Sequence, residues 1–220
     1  LKSCAEQADS AGFEPVCIAV TAQRSSAIPV DRSGMPLHPA IMWQDRRTAG
    51  LAQEMDSCNP LVYSRNGLKI SPVFSAIKMA WFRKNRPDIW QKTYKMIGIQ
   101  DWVLYLLSGR FVTDHTFGSR TNLFSLEKRS WDADLLSLFG VEPRMLCDLV
   151  PPGSIIGGIT PKIAAATGLP PGLPVVSAGG DQQCAALGLG LFCGQRAVSN
   201  TGTGSYLIGW NGVLISYSKR

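Results

Sequence analysis

An α/β fold is what this 220-residue sequence predicts, and three observations carry the prediction. EPVCIAVTAQ has the β-branched character of a buried strand from about Val16 to Thr21. A series of helical stretches with legible starts and stops follows it. Later, PVVSAGGDQQCAALGLG, from Pro174 to Gly190, runs an apolar strand into two glycines, a lone acid and a small-residue helix.

Each element can be justified in order. AIPVDRSGMPLHPAIMW reads as a hairpin turning at Asp31 to Gly34, because DRSG places turn formers between apolar arms. SAIKMAWFRKN is a helix starting on a Ser75 cap, and IQDWVLYLLSG is one running from Asp101 to a stop at Ser108 and Gly109. WDADLLSLFG ends at Gly140; TPKIAAATG has Thr160 as cap, Pro161 at the first helical position and Gly168 past the end. LVPPGSIIGGIT, Leu149 to Thr160, is the best internal boundary or, equally, a long loop within one domain. RAVSNTGTGSYLIGW reads as two strands, Arg196 to Ser199 and Ser205 to Trp210, joined by a Gly/Thr turn.

Composition limits the function. Hydrophobic residues at 45% and charged residues at 17% are globular values and exclude wholesale disorder. No apolar run approaches the ~20 residues of a membrane span, and LKSCAEQADSAG lacks a signal-peptide layout. The expectation is a soluble, cytoplasmic protein with no membrane partner. Six cysteines and two histidines show no CxxC and no metal-ligand spacing, so reduced thiols are expected and a zinc site is not. The net charge of +6 is dispersed, densest at RKNR (Arg83 to Arg86) and at Arg46 and Arg47, which argues against a nucleic-acid partner.

Two stretches carry chemistry. Asp181, ahead of QQCAALGLG, reads either as a helix cap or as a catalytic carboxylate. The preceding Gly179 and Gly180 favour the second reading, since two missing side chains let a ligand approach the backbone beside the acid and Gln182. NTGTGS, Asn200 to Ser205, exposes backbone N–H groups and hydroxyls that can cradle a phosphate, though an ordinary Gly-rich hairpin turn looks the same. It is not a P-loop, and GLGLFCG misses the GxGxxG spacing.

GGDQQCAALGLGLFCGQRAVSNTGTGSYLIG, IMWQDRRT (Ile41 to Thr48), SAIKMAWFRKNRPDIW (Ser75 to Trp90) and TDHTFGSRTNLFSLEKRSWDADLLSLFGV (Thr113 to Val141) together resemble the FGGY family of carbohydrate kinases. The resemblance covers nearly the whole chain. It implies an actin-like ATPase fold of two RNase H-like domains closing over a cleft. Residues 1–179 would be most of the first domain, lacking its opening phosphate hairpin, and 180–220 the opening helix and hairpin of the second. The implied activity is ATP-dependent phosphorylation of a sugar or polyol hydroxyl, with ATP and Mg²⁺ as cofactors and this stretch alone inactive. The partner is then a small-molecule sugar or polyol, with a homodimer left open.

The resemblance also implies roles, residue by residue. Asp181 falls on the general base and Gln182 beside it would bond a neighbouring hydroxyl. Gln23, Arg24 and Ser25 in TAQRSS fall on the polyol-binding stretch, where glycerol kinases carry an acid at the position of Ser25. Trp43 and Asp45 would line the sugar side, Trp43 as an apolar wall or else as ordinary core packing. His115 stands where the glycerol-kinase pattern has a substrate-contacting tyrosine, which disfavours glycerol itself. Thr203, with Gly202 and Gly204, falls on the ATP phosphate contact. Lys78 and Trp81 are read as bracing their helix, Arg46 and Arg47 as surface ion-pair partners, and Val73 departs from the family's first signature. Two other readings stay open: a catalytically silent sugar-binding relative, and an actin-fold ATPase without a sugar substrate.

Overall fold

The computed structural model describes residues 1–191, 197–201 and 205–210. At its centre, the strand Ile18–Ala22 pairs in parallel with Pro174–Gly180, which pairs antiparallel on its other side with Ser154–Gly158. The expected boundary at LVPPGSIIGGIT is thus a strand of the central sheet, its Ile156 only 2% exposed. Neither linker nor loop describes it.

Three apolar clusters hold the described residues together, the smallest around Ile28, Val30, Ile97 and Cys147. Helix Ile99–Ser108 lays Leu104 and Leu107 on the sheet, where they meet Val20, Val112, Ile156 and Val175. The second cluster joins helices Ser75–Asn85 and Ala133–Phe139 through Ile77, Phe82, Leu135 and Phe139, with Leu123 and Met145 filling between. Fully burying one such side chain stabilises by about 1.5–3 kcal/mol.

Several helix ends follow local chemistry. Asp132 accepts from the N–H groups of Asp134 and Leu135, Thr160 from Ile163, and Gly109, Gly140 and Gly168 close their helices in the left-handed region. Ser75 does not cap: Phe74 occupies the cap position, and the buried Ser75 hydroxyl donates to the carbonyl of Ser26 at 3.0 Å. A tertiary acceptor has displaced the local one. The Ile99–Ser108 helix begins two residues before Asp101, whose carboxylate reaches back to the Gly98 N–H at 2.7 Å.

The Asp31–Gly34 turn forms as read, with Asp31 accepting from Ser33 and Met35 and Gly34 at φ 77°. Its arms make only single bridges, Val30 to Pro36 and Ala27 to Ile41, because Pro36 and Pro39 bring no N–H to a ladder. Ile28–Val30 pairs instead with Lys95–Ile97, antiparallel. The helix Lys2–Ser10 escapes the sequence reading altogether. It buries no residue, so no apolar stripe announces it.

Candidate functional site

The cleft is built at the end of the Pro174–Gly180 strand. A bulge interrupts its pairing with Ile18–Ala22, where Val20 faces Ser177 but Thr21 faces Gly179. The extra residue turns the strand end, and Gly179 at φ +117° takes a conformation open in practice to glycine alone. Gly180 has an ordinary φ of −65°, so its missing side chain has a different cause. A Cβ there would lie 2.6 Å from Cδ of Arg24. At Gly180 the missing side chain makes room for Arg24.

Behind this turn lies a buried polar network centred on Asp114, which is fully buried. Its Oδ2 accepts from Gln100 Nε2 and Ser177 Oγ, each at 2.7 Å. Its Oδ1 accepts from the Thr116 N–H at 2.8 Å, from the Thr116 hydroxyl and from the Phe117 N–H. The Thr116 hydroxyl in turn accepts from the Gly180 N–H at 2.8 Å. Two helices and two strands are thereby tied to the residue that precedes Asp181.

A second anchor holds the Gln23–Ser26 turn. Ser25 sits at φ 69°, uncommon for a residue with a side chain, and is buried. Its carbonyl accepts from Nζ of Lys78 at 2.6 Å, and the same ammonium donates to the Val73 carbonyl. Lys78 is wholly buried, and burial pushes its pKa down to about 8, with Asp45 opposing the shift. Beyond bracing its helix, this lysine fixes the backbone that presents Arg24.

Onto these anchors converge Gln23, Arg24, Ser25, Trp43, Asp181 and Gln182, which with Val73, Arg120, Asn200 and Tyr206 line a cleft of about 380 Å³. Asp181 opens the helix Asp181–Gly188 and its Oδ1 accepts from the Gln182 N–H at 2.8 Å. Gly180 rather than Asp181 holds the cap position and no side chain caps this helix, so the carboxylate, exposed at the cleft wall, is not spent on capping. Trp43 is 38% exposed and donates from Nε1 to Gln23 Oε1 at 3.0 Å, which makes it a wall of the cleft and not core.

Two expected residues stand elsewhere. The Asp45 carboxylate is gripped by Arg47 through Nε at 3.0 Å and Nη2 at 2.8 Å, and this grip holds its pKa below the usual range. His115 is turned toward Phe124, its ring centroid 5.5 Å away, outside the cleft lining. From the same short stretch, Arg120 enters the cleft instead. Thr203, Gly202 and Gly204 lie outside the described residues. No motif in the sequence singles out Arg120, a lone basic residue in GSRTNLF.

This strand end, paired-glycine turn and carboxylate match a known pattern over most of the chain. A model of the "FGGY family of carbohydrate kinases, N-terminal domain" matches residues 1–188. The chain belongs to the FGGY family. It is 34% identical over 223 residues to a glycerol kinase of Thermococcus onnurineus, covering 99% of this chain and 44% of that protein. A glycerol kinase of Rippkaea orientalis is 36% identical over 200 residues, covering 87% and 39%. Among solved structures, a xylulose kinase from Rhodospirillum rubrum superposes with a TM-score of 0.89 at 24% identity, over 94% of this chain and 43% of that one. Plasmodium falciparum glycerol kinase with ADP gives 0.81 at 29% identity, over 89% and 39%. The fold is the actin-like ATPase fold of these FGGY kinases, and the chain spans less than half the length of the curated relatives it matches.

The crowding over Gly180 yields a test within this FGGY chain. Gly180→Ala keeps the backbone in an allowed region but drives Arg24 from its seat. Under the kinase reading proposed below, the full-length gene product carrying this change should show an acceptor KM raised on the order of tenfold with thermal stability nearly unchanged, roughly the loss of one charge-assisted hydrogen bond. An unchanged KM would separate Arg24 from the cleft's work.

Proposed function

We propose that the protein phosphorylates a hydroxyl of a small polyhydroxy acceptor with ATP, Asp181 acting as general base. One observation carries this reading: residues far apart in the chain, Gln23, Arg24, Trp43, Asp181 and Gln182, meet around one open cleft with the exposed carboxylate at its wall. The acceptor hydroxyl hydrogen-bonds to Asp181, which takes its proton as the alcohol oxygen bonds to the γ-phosphorus and the bond to the ADP oxygen breaks. Gln23 and Gln182 orient neighbouring hydroxyls, and Trp43 covers a C–H face. Phosphoryl transfer needs little more from the protein than such positioning and charge stabilisation.

ATP supplies the phosphoryl group and its bound Mg²⁺ offsets the phosphate charge. The same proposal has the magnesium ion carried mainly on the nucleotide phosphates. The proposal keeps Thr203, with Gly202 and Gly204, as the phosphate contact, and places the start of the second domain at residue 180. No described helix is long and apolar enough to cross a membrane, and a cytoplasmic place belongs to the same proposal.

ADP release by the full-length gene product, measured against ketoses, polyols and aldonates, tests the reading. Release that requires an acceptor is the expected result. Acceptor-independent release would support an actin-fold ATPase, and acceptor binding without release a silent relative.

A further inference from the structure

The walls of the cleft carry more positive than negative charge. Arg24 and Arg120 both line it, and among the described lining residues Asp181 is the one carboxylate. Neither arginine has a carboxylate within ion-pair distance among the described residues. Among the described residues Arg24 makes one side-chain hydrogen bond, Nη1 to the Thr116 carbonyl at 3.3 Å. Arg120 lies over the Phe74 ring at 4.7 Å, and its Nε is closed off from solvent with no described acceptor.

The acids that could have balanced them are committed elsewhere. Asp45 belongs to Arg47, and Asp114 lies behind the glycine turn with its five donors. At position 25, next to Arg24, stands a serine. Lys78 adds a third cation just behind that serine, its ammonium directed at two carbonyls. Burial and then the charge of Arg120 press the Arg24 pKa down to about 10, against the pull of Asp181 and Asp114. Burial likewise lowers that of Arg120.

Half-buried guanidinium groups without a counter-ion are costly, and a bound anion removes that cost. The planar fork of arginine matches a carboxylate with two parallel hydrogen bonds. Asp181 repels an anion at its own side of the cleft, which sets the direction in which an acidic acceptor enters. The cleft volume lies in the range of small-ligand sites.

We infer that the acceptor is a polyhydroxy acid, an aldonate whose carboxylate is held by Arg24 and Arg120 while a hydroxyl further along its chain meets Asp181. The inference rests on the kinase reading of this cleft and narrows its substrate class.

Matched pairs test it: short-chain aldonates, each against the alditol of the same configuration, such as D-gluconate against D-glucitol, with ADP release read at fixed ATP on the full-length gene product. At least one aldonate should exceed its alditol in kcat/KM by about a hundredfold, since the neutral analogue leaves the half-buried guanidinium donors unpaired. Arg120→Gln should shrink that preference by about tenfold, and Arg120→Lys should restore part of it. Neutral polyols or ketoses used as well as every aldonate would overturn the inference, as would an Arg120→Gln protein that loses acidic and neutral acceptors in equal proportion. Should no acceptor release ADP, the kinase reading falls. Titration calorimetry of the same aldonates then decides the anion site separately: binding weakened by Arg120→Gln supports it, and no binding removes it.

Discussion

Replacing Asp181 by asparagine in the full-length gene product is expected to lower acceptor-dependent ADP release by about 10²–10⁴-fold, the range a positioned general base supplies. Asparagine keeps the shape and can still accept the Gln182 N–H, so the helix start survives. It cannot take the acceptor's proton at neutral pH. The side chain is exposed, and the thermal midpoint should stay within about 2 °C of the parent, as for other surface substitutions away from buried networks. Loss confined to kcat with the acceptor KM little changed is the signature of a missing base. Turnover retained at a tenth or more of the parent rate would remove Asp181 from that role.

The second large effect is on the fold. Asp114→Ala should destabilise by about 3–5 kcal/mol, because several buried donors lose their acceptor together and each costs about 1–3 kcal/mol when left unpaired. The donors are Gln100 Nε2, Ser177 Oγ, the Thr116 N–H and hydroxyl, and the Phe117 N–H. For a unit of this size the thermal midpoint should drop by roughly 10 °C. Asp114→Asn keeps one acceptor oxygen and should lose about half as much. The network also holds the Gly180 N–H through Thr116, so the asparagine variant should raise the acceptor KM even where it remains folded. A midpoint within about 2 °C for the alanine variant would show that Asp114 is not what holds the strand end.

The two effects separate the tasks of two acids that local sequence does not tell apart. Both stand at the start of a helix after an extended segment. Asp114 is buried and spends its oxygens on the protein, whereas Asp181 spends one on its neighbour and stays open to solvent. Burial, a tertiary quantity, makes the first an anchor and leaves the second free for chemistry.

Features encoded within a dozen residues were legible in the sequence. The strand into Gly179, the helix opened by Asp181, the Thr160 cap, the glycine stops and the Asp31–Gly34 turn all follow from backbone preferences of neighbouring residues. So did the family likeness, whose motifs are contiguous. What the tertiary structure alone decided was the destination of individual side chains. Arg24 fills the space above Gly180, Lys78 reaches the Ser25 carbonyl, Asp45 turns to Arg47, and Arg120 rather than His115 enters the cleft. Each of these outcomes is a competition between partners brought together only on folding, and hydrogen bonds and desolvation, not sequence proximity, determine which partner wins.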